Sequence, residues 1–306
     1  MRMGETITTQ MFAQCKRKES LMARFRVFLV ATCLWFPIIV FAQTPAREFH
    51  PVVVQGAMPS ETARFASRLE NVTQEQIGGW RFWRGRINGY PVILSRTLKG
   101  IANAAAATAI AAERFHPVAI INQGTAGGLD TSLHLFDVIL GTSAVSVGAF
   151  KTPHRFSGEG SNSLEWKPLN LMASEGSAGN DPQKQTLARF AGDSLLLEVA
   201  RRATTLYKNG RVVEGVIGSS DMWNDEIDRI ARLHNEFGIS VEEMETASAA
   251  QVAGLFRIPF LGIRVVSDNT TNGEAYHPNV GEACQDFVYE VVRAYVAHLV
   301  AKHPRN

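Results

Sequence analysis

Cysteine is scarce in this chain, and a cysteine pair is missing where one would matter. Three cysteines occur in 306 residues, and two of them, Cys15 and Cys33, lie within the first 42. The lone Cys284 beyond them permits neither an internal disulfide nor a thiolate zinc site. GxSxG, HExxH, GxxxxGK[ST] and paired CxxC are all absent. Serine-hydrolase, zinc-peptidase, P-loop and zinc-ribbon chemistries therefore have no anchor. His154, His234 and His277 are scattered without metal-ligand spacing, so neither a metal nor a cofactor is expected.

An excess of charge is missing too. Of 31 Lys/Arg and 29 Asp/Glu, six and two respectively fall in residues 1–42, leaving 25 basic against 27 acidic. That balance lacks the basic surplus that phosphate-backbone binding requires, and nucleic acid is not an expected partner. Lys16, Arg17, Lys18, Arg24 and Arg26 precede the apolar run "VFLVATCLWFPIIVF" (27–41), and Val40-Phe41-Ala42 fits a small-residue cleavage site. This is the pattern of a signal peptide over residues 1–42, and the run is short for a membrane span. It predicts an exported, periplasmic protein; an uncleaved anchor is the alternative, and Met22 is a second possible start. Residues 43–306 suffice for one large domain with a full core.

Apolar runs of strand length alternate with helical patterns. "PVVVQGA" (51–57), "PVAIINQG" (117–124), "DVILGTSAVSVGAF" (137–150), 211–218 and 259–266 read as strands. "WRFWRGRINGYPVILSRT" (80–97) carries Asn88-Gly89 between two strand-like runs, a hairpin signal. Helices are predicted over 60–71, 103–115, 184–206, 225–236, 245–255 and 280–302. Residues 151–183 have no period and are rich in Gly, Ser, Asn and Pro, which predicts a loop insertion. The expected fold is a single α/β domain whose central mixed, mostly parallel sheet is flanked by helices.

In such folds ligands bind beyond the carboxyl ends of the strands. Four strand ends carry unusual residues: Gly56 to Glu61, Gly124-Thr125-Ala126-Gly127-Gly128, Ser219 to Asn224, and Ser267-Asp268-Asn269. Singly, Glu61 and Glu245 also suit the positive end of a helix, and Asp268 also suits a turn. Trp223 alone is more often core than a ligand platform. The combination is much more specific than its parts.

Five segments in order give that combination a family. "GAMPSE", "LKGIANAAAAT", "INQGTAGGLD", "VEEMETASAAQVA" and "RVVSDNTT" resemble motifs of the nucleoside phosphorylase and nucleosidase superfamily, and within it the 5'-methylthioadenosine/S-adenosylhomocysteine nucleosidases. The resemblance runs over about residues 51–300, with Leu98 standing where a glycine is usual. It implies hydrolysis of an N-glycosidic bond. Asp268 would protonate the purine N7 and Glu61 would take a proton from water. Glu245 would grip the ribose hydroxyls, with Met244 packed on the sugar. Trp223 would stack on the base, with Asn224 beside it in place of an apolar residue. Thr125, Ala126 and Gly127 would form the ribose-side loop, and Ser267 would precede the proton donor. A homodimer is implied as well. Glu242 and Glu243 are assigned to the helix end or to solvent.

Phosphorolysis is the first alternative. A phosphate needs basic groups or a helix N-terminus, and Glu61 stands where phosphorolytic relatives offer a basic residue. Arg96 and Arg64 are the residues that keep this alternative open. A non-catalytic exported nucleoside-binding or storage-type relative is the second.

Overall fold

The computed structural model describes residues 49–171 and 185–302. The predicted leader, with Cys15 and Cys33, and residues 172–183 of the predicted insertion lie outside the described residues.

Among the described residues, ten strands form one mixed sheet. In chain order they begin with β1 (Val52–Gly56), β2 (Glu70–Ile77), β3 (Trp80–Ile87), β4 (Tyr90–Arg96) and β5 (Ala119–Gly128). β6 (Val138–Ser146), β9 (Arg189–Ala191), β10 (Val212–Ser219), β11 (Val241–Glu243) and β12 (Phe260–Asp268) complete it, while β7 (Phe150–Lys151) and β8 (Lys167–Pro168) pair separately. The spatial order is β11-β10-β6-β12-β5-β1-β4-β3-β2, with β9 beside β6. β4, β1, β5 and β12 run parallel, as do β6, β10 and β11. The β2–β3–β4 meander and the β6–β12 join are antiparallel. The far end of β5 also pairs with β11, so β5, β12, β6, β10 and β11 close into a ring.

Parallel neighbours need crossovers, supplied by α2 (Ile101–Phe115), α3 (Ser194–Ala203), α4 (Ile227–Phe237) and α5 (Thr246–Leu255), with α6 (Val280–Lys302) closing the chain. Successive residues of a strand face opposite ways, and here both faces are covered. Val52 and Val54 of β1 share a core cluster with Phe287, Val288 and Val291 of α6. Val53 points to the other side, where Ala111 and Phe115 of α2 meet Ala247 and Ala250 of α5. The alanines let these two helices lie close to the sheet and to each other. No helix among the described residues is long and apolar enough to cross a membrane.

Some predicted elements change. The helix expected over 60–71 is a 3-10 turn at Pro59–Glu61 followed by the short α1 (Ala63–Ser67), and the chain then enters β2. β2 is almost wholly exposed, so it carries no apolar alternation to betray it. The helix expected over 184–206 is β9, then α3. Asp193 sets the true start of α3, its side chain accepting from the Leu196 N–H. The hairpin expected at Asn88-Gly89 forms, with both residues at positive φ (52° and 75°), the conformation a tight two-residue turn demands. The described part of the insertion docks on α4, where Arg232 donates to the carbonyls of Ser163 and Trp166.

Candidate active site

Closure of the ring assembles the site. Gly127 of β5 lies in register with Asp268 of β12 on one side and with Glu242 of β11 on the other. The β12 register slips between Val266 and Asp268, a bulge of the kind that re-aims a side chain at a strand end. Glycine leaves room where carboxylates crowd β5. A Cβ on Gly124 would stand 2.8 Å from Glu61 Oε1, and one on Gly127 would stand 3.3 Å from Asp268 Oδ2.

A cavity of about 220 Å3 opens at this rim. Glu61, Asp268, Glu245, Met244, Trp223, Asn224, Thr125, Ala126, Gly127 and Ser267 all line it. Residues from five separate strand ends, those of β1, β5, β10, β11 and β12, thus share one space. Lys99, Met222, Tyr276, Glu242 and Glu243 line it too, and were not among the predicted site residues.

Glu61 closes the 3-10 turn after β1 and is buried. Its Oε2 accepts from the N–H groups of Ala57 (2.9 Å) and Met58 (3.1 Å). Its Oε1 accepts from the Thr125 N–H (2.9 Å) and hydroxyl (3.0 Å). Four donors fix the carboxylate in place. Of these only the Thr125 hydroxyl can rotate away, which would free a lone pair for a proton.

Glu243, Glu245 and Arg264 form the buried floor. Arg264 is 1% exposed and pairs with Glu243 through Nε and Nη2. It also donates to the backbone and side-chain oxygens of Asn122. Glu243 accepts from the Ser219 hydroxyl and from the N–H groups of Glu245 and Thr246, the orphan donors that open α5. Its assignment to the helix end therefore holds, but its assignment to solvent does not. Arg264 is legible only as a cation inside the apolar run "FLGIRVV", which signals a buried partner.

Glu245 accepts from the Gly100 N–H at 2.9 Å and stands 4.0 Å from Arg264. Burial, then repulsion by Glu243 and by Glu61, pushes its carboxyl up to about 8, against the pull of Arg264. That shift favours the protonated form, which can accept and donate at once.

Asp268 takes a hydrogen bond from the Ser267 hydroxyl at 2.7 Å. Burial, with a smaller push from Asp225, raises its carboxyl above the usual range, and the Ser267 bond only partly offsets this. Trp223 is 56% exposed at the cavity mouth, edge-on to Tyr276 at 6.4 Å. It belongs to the cavity wall, not to the core.

Glu242 departs most from expectation. It is 7% exposed, not solvated, and accepts from the Ser220 hydroxyl (2.8 Å) and the Asn224 Nδ2 (3.2 Å). The two arginines considered for phosphate are committed elsewhere. Arg64 pairs with Asp286 and Glu282 on α6, while Arg96 donates to Thr62 and lies over the Trp83 ring.

The sequence pattern of the phosphorylase superfamily matches residues 51–300. The chain belongs to the phosphorylase superfamily. Within it, the chain is 30% identical over 218 residues to the 5'-methylthioadenosine/S-adenosylhomocysteine nucleosidase of Bacillus thuringiensis (strain Al Hakam), covering 71% of this chain and 85% of that one. The enzyme of the same name from Psychromonas ingrahamii (strain DSM 17664 / CCUG 51855 / 37) is 30% identical over 244 residues, 78% of this chain and 96% of its own. The crystal structure of the Neisseria meningitidis nucleosidase in complex with methylthio-immucillin-A superposes with a TM-score of 0.65 at 27% identity, over 80% of this chain and all of that one. The fold shared with that structure is the mixed sheet flanked by helices described above.

Proposed function

We propose that the protein hydrolyses the N-glycosidic bond of a purine nucleoside, 5'-methylthioadenosine or S-adenosylhomocysteine, and releases adenine. The observation that carries this is the gathering of Glu61, Glu245 and Asp268 around one cavity in a phosphorylase-superfamily chain. The 30% identical nucleosidases supply the substrate class.

The geometry suits the chemistry. As the bond from the anomeric carbon to N9 breaks, its electron pair moves onto the base and positive charge develops on the ribose. Asp268 gives its proton to N7; its burial, which raises the carboxyl above its ordinary value, favours the form that carries the proton. Water attacks the anomeric carbon, and Glu61 takes its proton once the Thr125 hydroxyl swings away. Glu245 holds the ribose diol, accepting from one hydroxyl and donating to the other. Met244 packs on the sugar and Trp223 covers the base, whose faces suit an aromatic ring.

Phosphorolysis keeps one supporting feature, because Lys99 lines the cavity. Incubating the purified protein with methylthioadenosine, with and without phosphate, decides among the readings. Adenine released without phosphate supports hydrolysis. Strict phosphate dependence supports phosphorolysis. Binding without adenine in either case leaves a storage-type protein.

Export to the periplasm and assembly as a homodimer belong to the same proposal. The first is supported by the leader pattern of residues 1–42 and the second by the family resemblance. N-terminal sequencing of the protein recovered from the periplasm and light scattering of the purified protein test them.

A further inference from the structure

Residues 220–226 connect β10 to α4 and form one wall of the cavity mouth, where Met222, Trp223 and Asn224 line it. Side chains tie this connection to its surroundings. Asp221 accepts from the Ile101 N–H that opens α2, at 2.8 Å. Asn224 donates to Glu242 of β11. Asp225 accepts from the Thr270 hydroxyl at 3.2 Å. Thr270 lies two positions past Asp268 and lines the same cavity. One hydrogen bond thus joins the segment that carries Trp223 to the strand end that carries the acid.

That bond holds a second acid close to Asp268. Burial is the main cause that lifts the Asp268 carboxyl above its ordinary range, the Ser267 hydroxyl works against it, and repulsion by Asp225 adds to it. The other groups around Asp268 have different partners. Tyr276, on the segment leading to α6, lies in the field of both Glu61 and Asp268. Glu61, Glu242 and Glu245 line the cavity with Lys99, and each of these acids is held by its own donors. Past β12, Glu274 turns to His134 and the His277 ring to Phe136. On β5, the position in register with Asp268 is Gly127, which brings no charge. Asp225 does not line the cavity, so it reaches the chemistry only through Asp268.

We propose that Asp225 is a positioning residue for the proton donor: held by the Thr270 hydroxyl, its charge keeps the proton on Asp268 while Trp223, on the same connection, covers the base. Cover and acid are thereby set together. The inference rests on the nucleosidase reading of this cavity, and two readouts let the two fail separately. One is kcat/KM for methylthioadenosine against pH. The other is calorimetric binding of free adenine over the same range, since N7 accepts from protonated Asp268. Asp225→Asn keeps an oxygen for Thr270 and deletes only the charge. Asp225→Lys reverses the charge, and Thr270→Val frees Asp225 without discharging it.

In the wild type both readouts fall on the alkaline side as Asp268 loses its proton. Removing a neighbouring negative charge makes the ionised form of Asp268 less costly. Asp225→Asn therefore moves that limb to lower pH, by about half a pH unit. Above the limb kcat/KM is then about threefold below that of the wild type, and the deficit closes as pH falls through the limb. Asp225→Lys moves the limb about twice as far, and Thr270→Val moves it the same way. Because Asp225 is exposed, salt at about 1 M shrinks these displacements. A limb that stays in place in Asp225→Asn and Asp225→Lys, or a loss that is uniform at every pH, overturns the inference. A limb unmoved in Thr270→Val overturns the part given to the Thr270 bond. Absence of cleavage with a displaced adenine-binding limb overturns the hydrolase reading and leaves the inference standing.

Discussion

Glu242 and Asp268 flank the same glycine: Gly127 of β5 pairs with one across an antiparallel ladder and with the other across a parallel one. Two acids 26 positions apart thereby meet on one rim because a single strand is shared by both neighbours. Their environments differ in what each is given to hold, amide and hydroxyl donors for Glu242 and one hydroxyl for Asp268. The role of Asp268 in proton transfer can be tested.

Asp268→Asn removes the proton donor while keeping the shape. Turnover of methylthioadenosine is expected to fall by about 10²–10⁴ with the circular dichroism spectrum unchanged. In the wild type the raised Asp268 carboxyl must be protonated to act, so kcat/KM falls as pH rises through its value. A variant that keeps wild-type turnover would remove Asp268 from the mechanism.

Glu61→Gln is expected to bind adenine nearly as the wild type does and to lose hydrolysis by a similar factor. The amide still accepts at one oxygen but has no basic site for a water proton. Loss of binding with turnover of the remaining complex intact would make Glu61 a positioning group instead.

Glu245 gives a stability prediction with a definite sign. Its carboxyl titrates near 4.5 when unfolded and near 8 in the fold, so between these values the folded state holds a proton that the unfolded state has lost. Stability contributed by this group is complete below the lower value and declines as pH rises toward the upper one. Urea unfolding across that range should show the decline, and Glu245→Gln should flatten it.

Arg264→Met strands Glu243 in a dry interior. Removing one member of a buried ion pair costs about 3–5 kcal/mol, and thermal melting should fall by roughly 10 °C. A loss of less than about 1 kcal/mol would mean that water reaches the pair.

Leu98 sits at φ 64°, in the left-handed region that disfavours side chains by about 1–2 kcal/mol. Leu98→Gly should therefore leave stability equal or raise it by about 1 kcal/mol, measured by the urea midpoint. This is the position where the family resemblance expects a glycine.

The elements that bury a face announced themselves. β1, β5 and β12 read as apolar runs because the sheet is covered on both sides, and the helix predicted over 280–302 is α6. What escaped notice had no face to bury or no length to show a period. β2 is mostly exposed, with only Val72 and Ile77 apolar, and β9 and β11 have three residues each. The same limit hid the chemistry of Glu242 and Glu243. On a three-residue strand, two adjacent acids look like helix-end charges until the ring closes around them. The ten residues named from motif resemblance all line the cavity, and most of them follow strand ends that the apolar runs mark. Lys99, Tyr276 and the Glu242–Asn224 contact depend on packing between segments more than a dozen residues apart in most cases, and no local pattern encodes them.

The five-strand closure also sets an order of events for the growing polypeptide. β5 is finished at residue 128, yet its last two residues wait for β11 at 241–243 and its long edge for β12 at 260–268. Pairings of such sequence separation form late and slowly. A chain emerging from synthesis thus spends its first three-quarters with no place for a nucleoside to lodge, and a truncation anywhere before β12 yields a scaffold without a binding competence rather than a weakened enzyme.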